Sequence, residues 1–178
     1  QYYGVTPDLT TIGKIVGGGF PLAAVVGRKE FMDVYDSHAV DASDFLPQIG
    51  TLNGNPVAAA AGLATLEIMR EPALYDGYWE TGGRLRNGLQ QMLDEAEIPA
   101  TVSGIDIMFD VYFTETPITG FRSTLGADKS KNKVFDETLL EHGVFKPPGK
   151  VYVGVCHDEA DVRQTLAAFK AGVDAVRD

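Results

Sequence analysis

A single cysteine, Cys156, stands in a chain of 178 residues. It excludes an internal disulfide framework and fits a reducing, cytoplasmic setting. Basic residues are scarce: 15 lysines and arginines against 25 aspartates and glutamates leave a formal net charge of −10. With no basic stripe to meet a phosphate backbone, nucleic acid is not an expected partner. The acidity reads as ordinary surface solvation. No apolar run reaches bilayer-spanning length and no secretory leader is visible, so no membrane partner is expected either. Asp36, His38, Asp41 and Asp44 lie close together, but their spacing fits no standard metal site, and no metal is expected. An initiator methionine is also lacking. What remains is ordinary globular stock, 44% hydrophobic and 22% charged, enough to bury a core in one domain or two small ones.

The most informative stretch is Thr10-Thr11-Ile12-Gly13-Lys14-Ile15-Val16-Gly17-Gly18-Gly19-Phe20. One lysine lies between a short apolar run and three consecutive glycines. A lysine amine attacks a carbonyl carbon only when neutral, and a poorly hydrated pocket favours that form. Glycines let a flat ligand approach the main chain closely. The stretch therefore suggests a Schiff-base lysine, held in a tight pocket beside a glycine turn. Phosphate-loop readings fail. Ile15 stands where a Walker loop needs Ser or Thr, and Leu22 replaces the last glycine of a dinucleotide fingerprint.

A second stretch, Gly50-Thr51-Leu52-Asn53-Gly54-Asn55-Pro56, leads into an alanine-rich segment. The two elements in combination, with Pro7-Asp8-Leu9 before the lysine and Val26-Gly27-Arg28 after the glycines, resemble the class III aminotransferases, closest to the glutamate-1-semialdehyde aminomutase branch. The similarity runs weakly on to the C-terminus. It implies an α/β fold: the C-terminal part of the large domain of a fold type I PLP-dependent transferase, followed by a small α+β C-terminal domain. Residues 1–75 are expected to be the remainder of the large domain, and residues 76–178 a long connecting helix and the small domain. Against the family, Gln1-Tyr2-Tyr3-Gly4 starts in mid-motif, so the chain is expected to be the C-terminal piece of a longer polypeptide.

The resemblance implies pyridoxal 5′-phosphate (PLP) as cofactor, with Lys14 forming the Schiff base and moving a proton between the substrate carbon and the cofactor's C4′ carbon. By position, Thr51 would donate to the PLP phosphate, in the family across a dimer interface, with Gly50 shaping its loop. The expected partners are a small amino or keto substrate, the missing N-terminal segment and a second copy of the chain, with shared active sites. Aminotransferase and aminomutase chemistry both stay open. So does a catalytically incomplete fragment, or partner chain, that keeps the fold as an interaction surface.

Patterning supplies the rest. Residues 1–13 read as a loop approaching Lys14, 21–27 as a buried strand and 28–35 as a short helix. Asn55-Pro56 is a helix start, cap then first position. The segment 57–69 is apolar all round and should be buried. A long amphipathic helix is expected over about 73–96, with Arg84, Arg86 and Glu95 toward water. Gly82-Gly83 weakens it for no reason visible in the sequence. Alternation over 105–113 puts Ile105, Ile107, Phe109, Val111 and Phe113 on the buried face of one strand, and Asp110 on the other. Residues 114–133 read as a mobile loop, 134–142 as a helix ending at Gly143, and 151–155 as a strand. Asp158 should cap the last helix, with a structural role for His157 beside it.

Overall fold

The computed structural model describes residues 2–177. The chain divides into two compact units between Glu71 and Pro72. In the first unit, β1 (Leu9–Gly13) pairs antiparallel with β2 (Ala23–Gly27), in a register from Leu9 opposite Gly27 to Gly13 opposite Ala23. The expected loop before Lys14 is thus a strand: Thr10, Thr11 and Ile12 are β-branched and extend readily. β2 is shorter than expected, and its side chains are exposed rather than buried. A two-stranded ribbon has little sheet to hide behind. The segment after Arg28 splits into α1 (Lys29–Met32) and a 3-10 turn, Asp33–Tyr35. Then α2 (Pro56–Ile68) starts as expected: Asn55 Oδ1 accepts the N–H groups of Val57 at 2.9 Å and Ala58 at 3.2 Å. The expectation of all-round burial is overturned, since only Ala58 and Gly62 are buried. Leu63 and Ile68 stay 63% and 59% exposed, because the first unit covers only one side of the helix.

The second unit opens with α3 (Pro72–Glu95). Leu85, Leu89 and Leu93 recur at helical spacing and are buried. β3 (Thr101–Ile105) and β4 (Met108–Tyr112) pair antiparallel, with Ile105 opposite Met108. The single strand expected over 105–113 is therefore the end of a hairpin with Asp106-Ile107 at its tip. Alternation runs on through a two-residue tip, so the pattern conceals it. The supposed mobile loop contains α4 (Phe121–Thr124) and the start of α5 (Lys129–Glu141). Asp128 makes α5 begin five residues early, its side chain accepting from the N–H groups of Ser130 and Lys131. β5 (Val151–Tyr152) adds to β4, giving the antiparallel order β3-β4-β5, and is shorter than expected. α6 (Glu159–Arg177) closes the unit. Asp158 caps it, accepting from Ala160 N–H at 2.7 Å and Asp161 N–H at 3.1 Å. Those two N–H groups hold the Asp158 carboxyl below its ordinary pKa.

One apolar core fills this unit: Leu85, Leu89, Phe109, Val111, Phe135 and Phe169 lie within it. Close approaches explain glycines that patterning could not. A Cβ on Gly82 would stand 2.4 Å from the backbone oxygen of Asp106, so the hairpin tip sits directly on α3 there. Arg84 and Arg86 are not simply solvated: Arg84 pairs with Glu159, and Arg86 reaches Asp106 at 3.2 Å. Among the described residues no helix is long and apolar enough to cross a membrane.

Candidate functional site

Lys14 begins the connection between β1 and β2. Gly13 is fully extended, and Lys14 then turns left-handed at φ 58°. A side chain in that region costs about 1–2 kcal/mol, so the surrounding structure must hold it there. Residues Lys14–Gly17 make one 3-10 turn. Gly18, at φ 56°, closes it by donating its N–H to Ile15 O at 3.0 Å, and Phe20 N–H donates to Gly17 O at 2.9 Å. Gly19 follows at φ 91°. The triple glycine thus supplies two left-handed positions, Gly18 and Gly19, and one buried one, Gly17.

The turn lies against α2. A Cβ on Gly18 would meet Thr65 Oγ1 at 2.5 Å and Ala61 O at 3.2 Å. A Cβ on Gly62 would meet Leu22 Cδ2 at 2.4 Å and Val16 O at 3.2 Å. The flanking stretches are joined as well: Arg28 N–H donates to Asp8 O at 3.0 Å, and Arg28 Nη1 lies 2.9 Å from Asp8 Oδ1.

Thr51 lies exposed in the turn that leads into α2. Asn53 N–H donates to Gly50 O at 3.0 Å, and Asn55 N–H to Leu52 O at 3.2 Å. A Cβ on Gly50 would stand 2.7 Å from Asn53 Oδ1, so the turn needs a small residue there. The two sequence motifs are therefore tied to one helix, Lys14's turn to its middle and Thr51's loop to its N-terminus. From Asn55 to Gly62 is about 10 Å along the axis. A cleft of about 680 Å³ opens beside the same helix, with Leu22, Ala24, Tyr35, Leu52, Asn53 and Ala58 in its wall. Lys14, Gly50 and Thr51 do not line it. Lys14 itself is exposed, so the expected desolvated pocket is not made by this chain's own residues. Its turn packs through its backbone and leaves the side chain outward.

The second unit holds a buried charge cluster that no local pattern announces. Lys146 Nζ lies 3.0 Å from Asp110 Oδ1 and 2.9 Å from Asp136 Oδ1, with its side chain only 2% exposed. Burial pushes the Asp110 carboxyl above its ordinary pKa, against the opposing pull of Lys146. His157 Nδ1 accepts the Gly154 N–H at 3.1 Å, closing the turn ahead of α6. His142 is exposed, its Nδ1 2.9 Å from Thr138 O.

Residues 1–168 match the family described as aminotransferase class-III. A glutamate-1-semialdehyde 2,1-aminomutase of Thermus thermophilus is 42% identical over 174 residues, 96% of this chain and 40% of that protein. One from Natranaerobius thermophilus is 35% identical over 168 residues, 93% of this chain and 38% of that protein. An omega-transaminase structure from Sphaerobacter thermophilus superposes with a TM-score of 0.89 at 33% identity, covering 99% of this chain and 40% of that one. A transaminase with PLP bound gives 0.83 at 26% identity, covering 97% and 39%. The chain thus spans about 40% of the length of these relatives, and over that span it has the α/β fold of a fold type I transaminase. With a left-handed lysine turn and a Gly-Thr-Leu loop set on one helix, and a match along nearly its whole length, the chain belongs to the class III aminotransferase family.

Proposed function

We propose that this chain is part of an enzyme of PLP-dependent amino-group transfer, and that Lys14 is the residue that holds the cofactor covalently. The observation that carries this is the Lys14 turn: a side-chain-bearing residue kept left-handed, seated on the helix whose N-terminus presents Thr51. The donor set fits the group. The Lys14 amine, left outward by its turn, can reach an aldehyde once other segments supply poorly hydrated walls, and a hydroxyl in a tight turn leading into a 13-residue helix suits a phosphate. When bound, PLP supplies that aldehyde and a ring that takes up the electron pair left at the substrate carbon. Lys14 Nζ would take the proton from the carbon bearing the amino group as base and give it up as acid at a different carbon, so that the amino group can leave its first carbon. Thr51 Oγ1 would donate to the phosphate, and Gly50 keeps its turn tight.

One feature supports a shared site in a homodimer, and the single cysteine fits a cytoplasmic setting. The exposed Lys14 side chain leaves its water-excluding walls to the rest of the polypeptide and to the second subunit. Residues 1–75 then belong to the large PLP domain, and 76–178 form the connecting helix and small α+β domain. The substrate is a small amino or keto compound. The relatives at 42% and 35% identity are named aminomutases, which favours return of the amino group to the same carbon skeleton. Turnover of glutamate-1-semialdehyde without an added amino acceptor separates that reaction from transamination.

The decisive experiment is borohydride reduction of the complete PLP-loaded enzyme, followed by peptide mapping. A pyridoxyl group on Lys14 is the expected result. Its presence on another lysine instead overturns the assignment.

A further inference from the structure

We infer that Gly62, in the middle of α2, is a positioning residue for Lys14: the bare helix surface there sets the depth at which the lysine turn sits. This rests on Lys14 being the cofactor lysine. The hydrogen bonds of the turn are local. Gly18 donates to Ile15, Phe20 to Gly17 and Leu22 to Phe20, so these bonds shape the turn without fixing it to anything else. Beyond the β1–β2 ladder, which ends at Gly13 and Ala23 on either side of it, the turn is seated by contact with α2 at two places one helical turn apart. At the first, Val16 O and Leu22 Cδ2 occupy the space over Gly62, 3.2 and 2.4 Å from where a Cβ would be. At the second, Gly18 lies under Thr65, whose Oγ1 is held by a 2.9 Å hydrogen bond to Ala61 O.

Gly62 is the odd residue of its helix. The neighbours Ala58, Ala59, Ala60 and Ala61 are the strongest helix formers, whereas glycine weakens a helix interior. Helix stability alone would place alanine at 62. The turn forbids it. Leu22 can swing its methyl aside, but the Val16 carbonyl is main chain and must lift by a few tenths of an ångström. Val16 is two residues from Lys14, within the same 3-10 turn, so the lift passes to the lysine backbone. Covalent capture needs the amine within a narrow approach to the aldehyde carbon, where a misplacement of about 1 Å can cost about a hundredfold.

The test is Gly62→Ala in the complete enzyme, stripped of PLP and then mixed with it. Covalent capture is followed by absorbance and by the borohydride-trapped mass on Lys14. The expected result is capture slowed about tenfold, with helix content and melting temperature kept or raised. Faster amide exchange at Gly18 in the cofactor-free protein should accompany it, since that N–H closes the turn. Leu22→Ala in the Gly62→Ala background should restore little of the rate, because the Val16 carbonyl and not the Leu22 methyl transmits the lift; full rescue by Leu22→Ala would overturn that main-chain route. Should Gly62→Ala fail to fold, Gly18→Ala presses the same turn away from α2, since a Cβ there would stand 2.5 Å from Thr65 Oγ1 and 3.2 Å from Ala61 O, and should slow capture likewise. Parent-rate capture on Lys14 by a folded Gly62→Ala protein, or by Gly18→Ala where that variant stands in, overturns the inference and leaves the Lys14 assignment standing. A parent enzyme whose pyridoxyl group is not on Lys14 overturns the assignment itself.

Discussion

Thr51 and Lys146 show how differently single residues are read from sequence. Thr51 sits in a motif, so its proposed role could be written down before any coordinate. Thr51→Val in the complete enzyme should weaken PLP binding about tenfold, the loss of one charge-assisted hydrogen bond, while borohydride still labels Lys14. Equilibrium dialysis checks this, and unchanged affinity would remove Thr51 from the phosphate site. Lys146 sits in Lys146-Pro147-Pro148-Gly149, which reads only as a turn. Its partners are 36 and 10 residues upstream, at Asp110 and Asp136, and nothing local announces them. Alternation even placed Asp110 on the open face; Met108 on that side is indeed open, yet Asp110 is only 5% exposed. Lys146→Met leaves the buried Asp110 and the partly buried Asp136 without their ammonium, at a cost of about 3–5 kcal/mol. The loss should depend on pH. Burial already raises the Asp110 carboxyl above its ordinary pKa, and without Lys146 only the hydrogen bond from the Val111 backbone still opposes it. A group raised in the folded state contributes stability that is fully present below its unfolded pKa and lost as pH rises through the folded one. Urea unfolding of Lys146→Met should therefore show the deficit shrinking from neutral pH toward pH 4. A deficit independent of pH would mean that lost packing, not charge, is responsible.

Among elements, the long helix α3 separates what glycine costs from what glycine permits. Gly77 has open space where a Cβ would go, whereas Gly82 has the Asp106 backbone 2.4 Å away. Gly77→Ala should stabilise the chain by about 0.5–1 kcal/mol, through helix propensity and a less flexible unfolded state. Gly82→Ala should destabilise it by about 1–3 kcal/mol despite the same propensity gain, because the hairpin tip must move off the helix. Thermal melts of the two variants should shift in opposite directions. From sequence these glycines look alike, since the contact that distinguishes them comes from a turn more than twenty residues away. Elements held by local rules were legible: Asn55 and Asp158 cap their helices, and the leucine spacing of α3 is plain. Misreadings fell where a local signal was ambiguous. Three lysines over 129–133 looked like a solvated loop because Asp128 was not taken as a cap. The hairpin at Asp106-Ile107 escaped because alternation does not stop at its tip.

In the whole molecule, apolar burial is divided unequally between the two units. The fully buried phenylalanines, Phe109, Phe135 and Phe169, all belong to the second unit. Among the described hydrophobic residues of the first unit, Ala58 alone is buried, while Ile15, Leu52, Val57 and Leu63 stay open to solvent. Hydrophobic stabilisation scales with apolar area removed from water, about 25 cal/mol per Å². The alanine-rich α2 therefore has propensity and one packed side, but little core of its own. Amide hydrogen exchange of the 178-residue chain should reveal this directly. Amides of Val111, Phe135 and Phe169 should exchange only through global opening, and those of Leu63 and Leu66 in α2 at least about a hundredfold faster, through local opening. Joining the chain to the remainder of the enzyme should slow the α2 amides to the level of the second unit, because the open apolar faces would then be covered. Equal protection of both units in the isolated chain would show that the lysine turn and its helix hold together without that cover, and the exposed Lys14 side chain would then need another explanation.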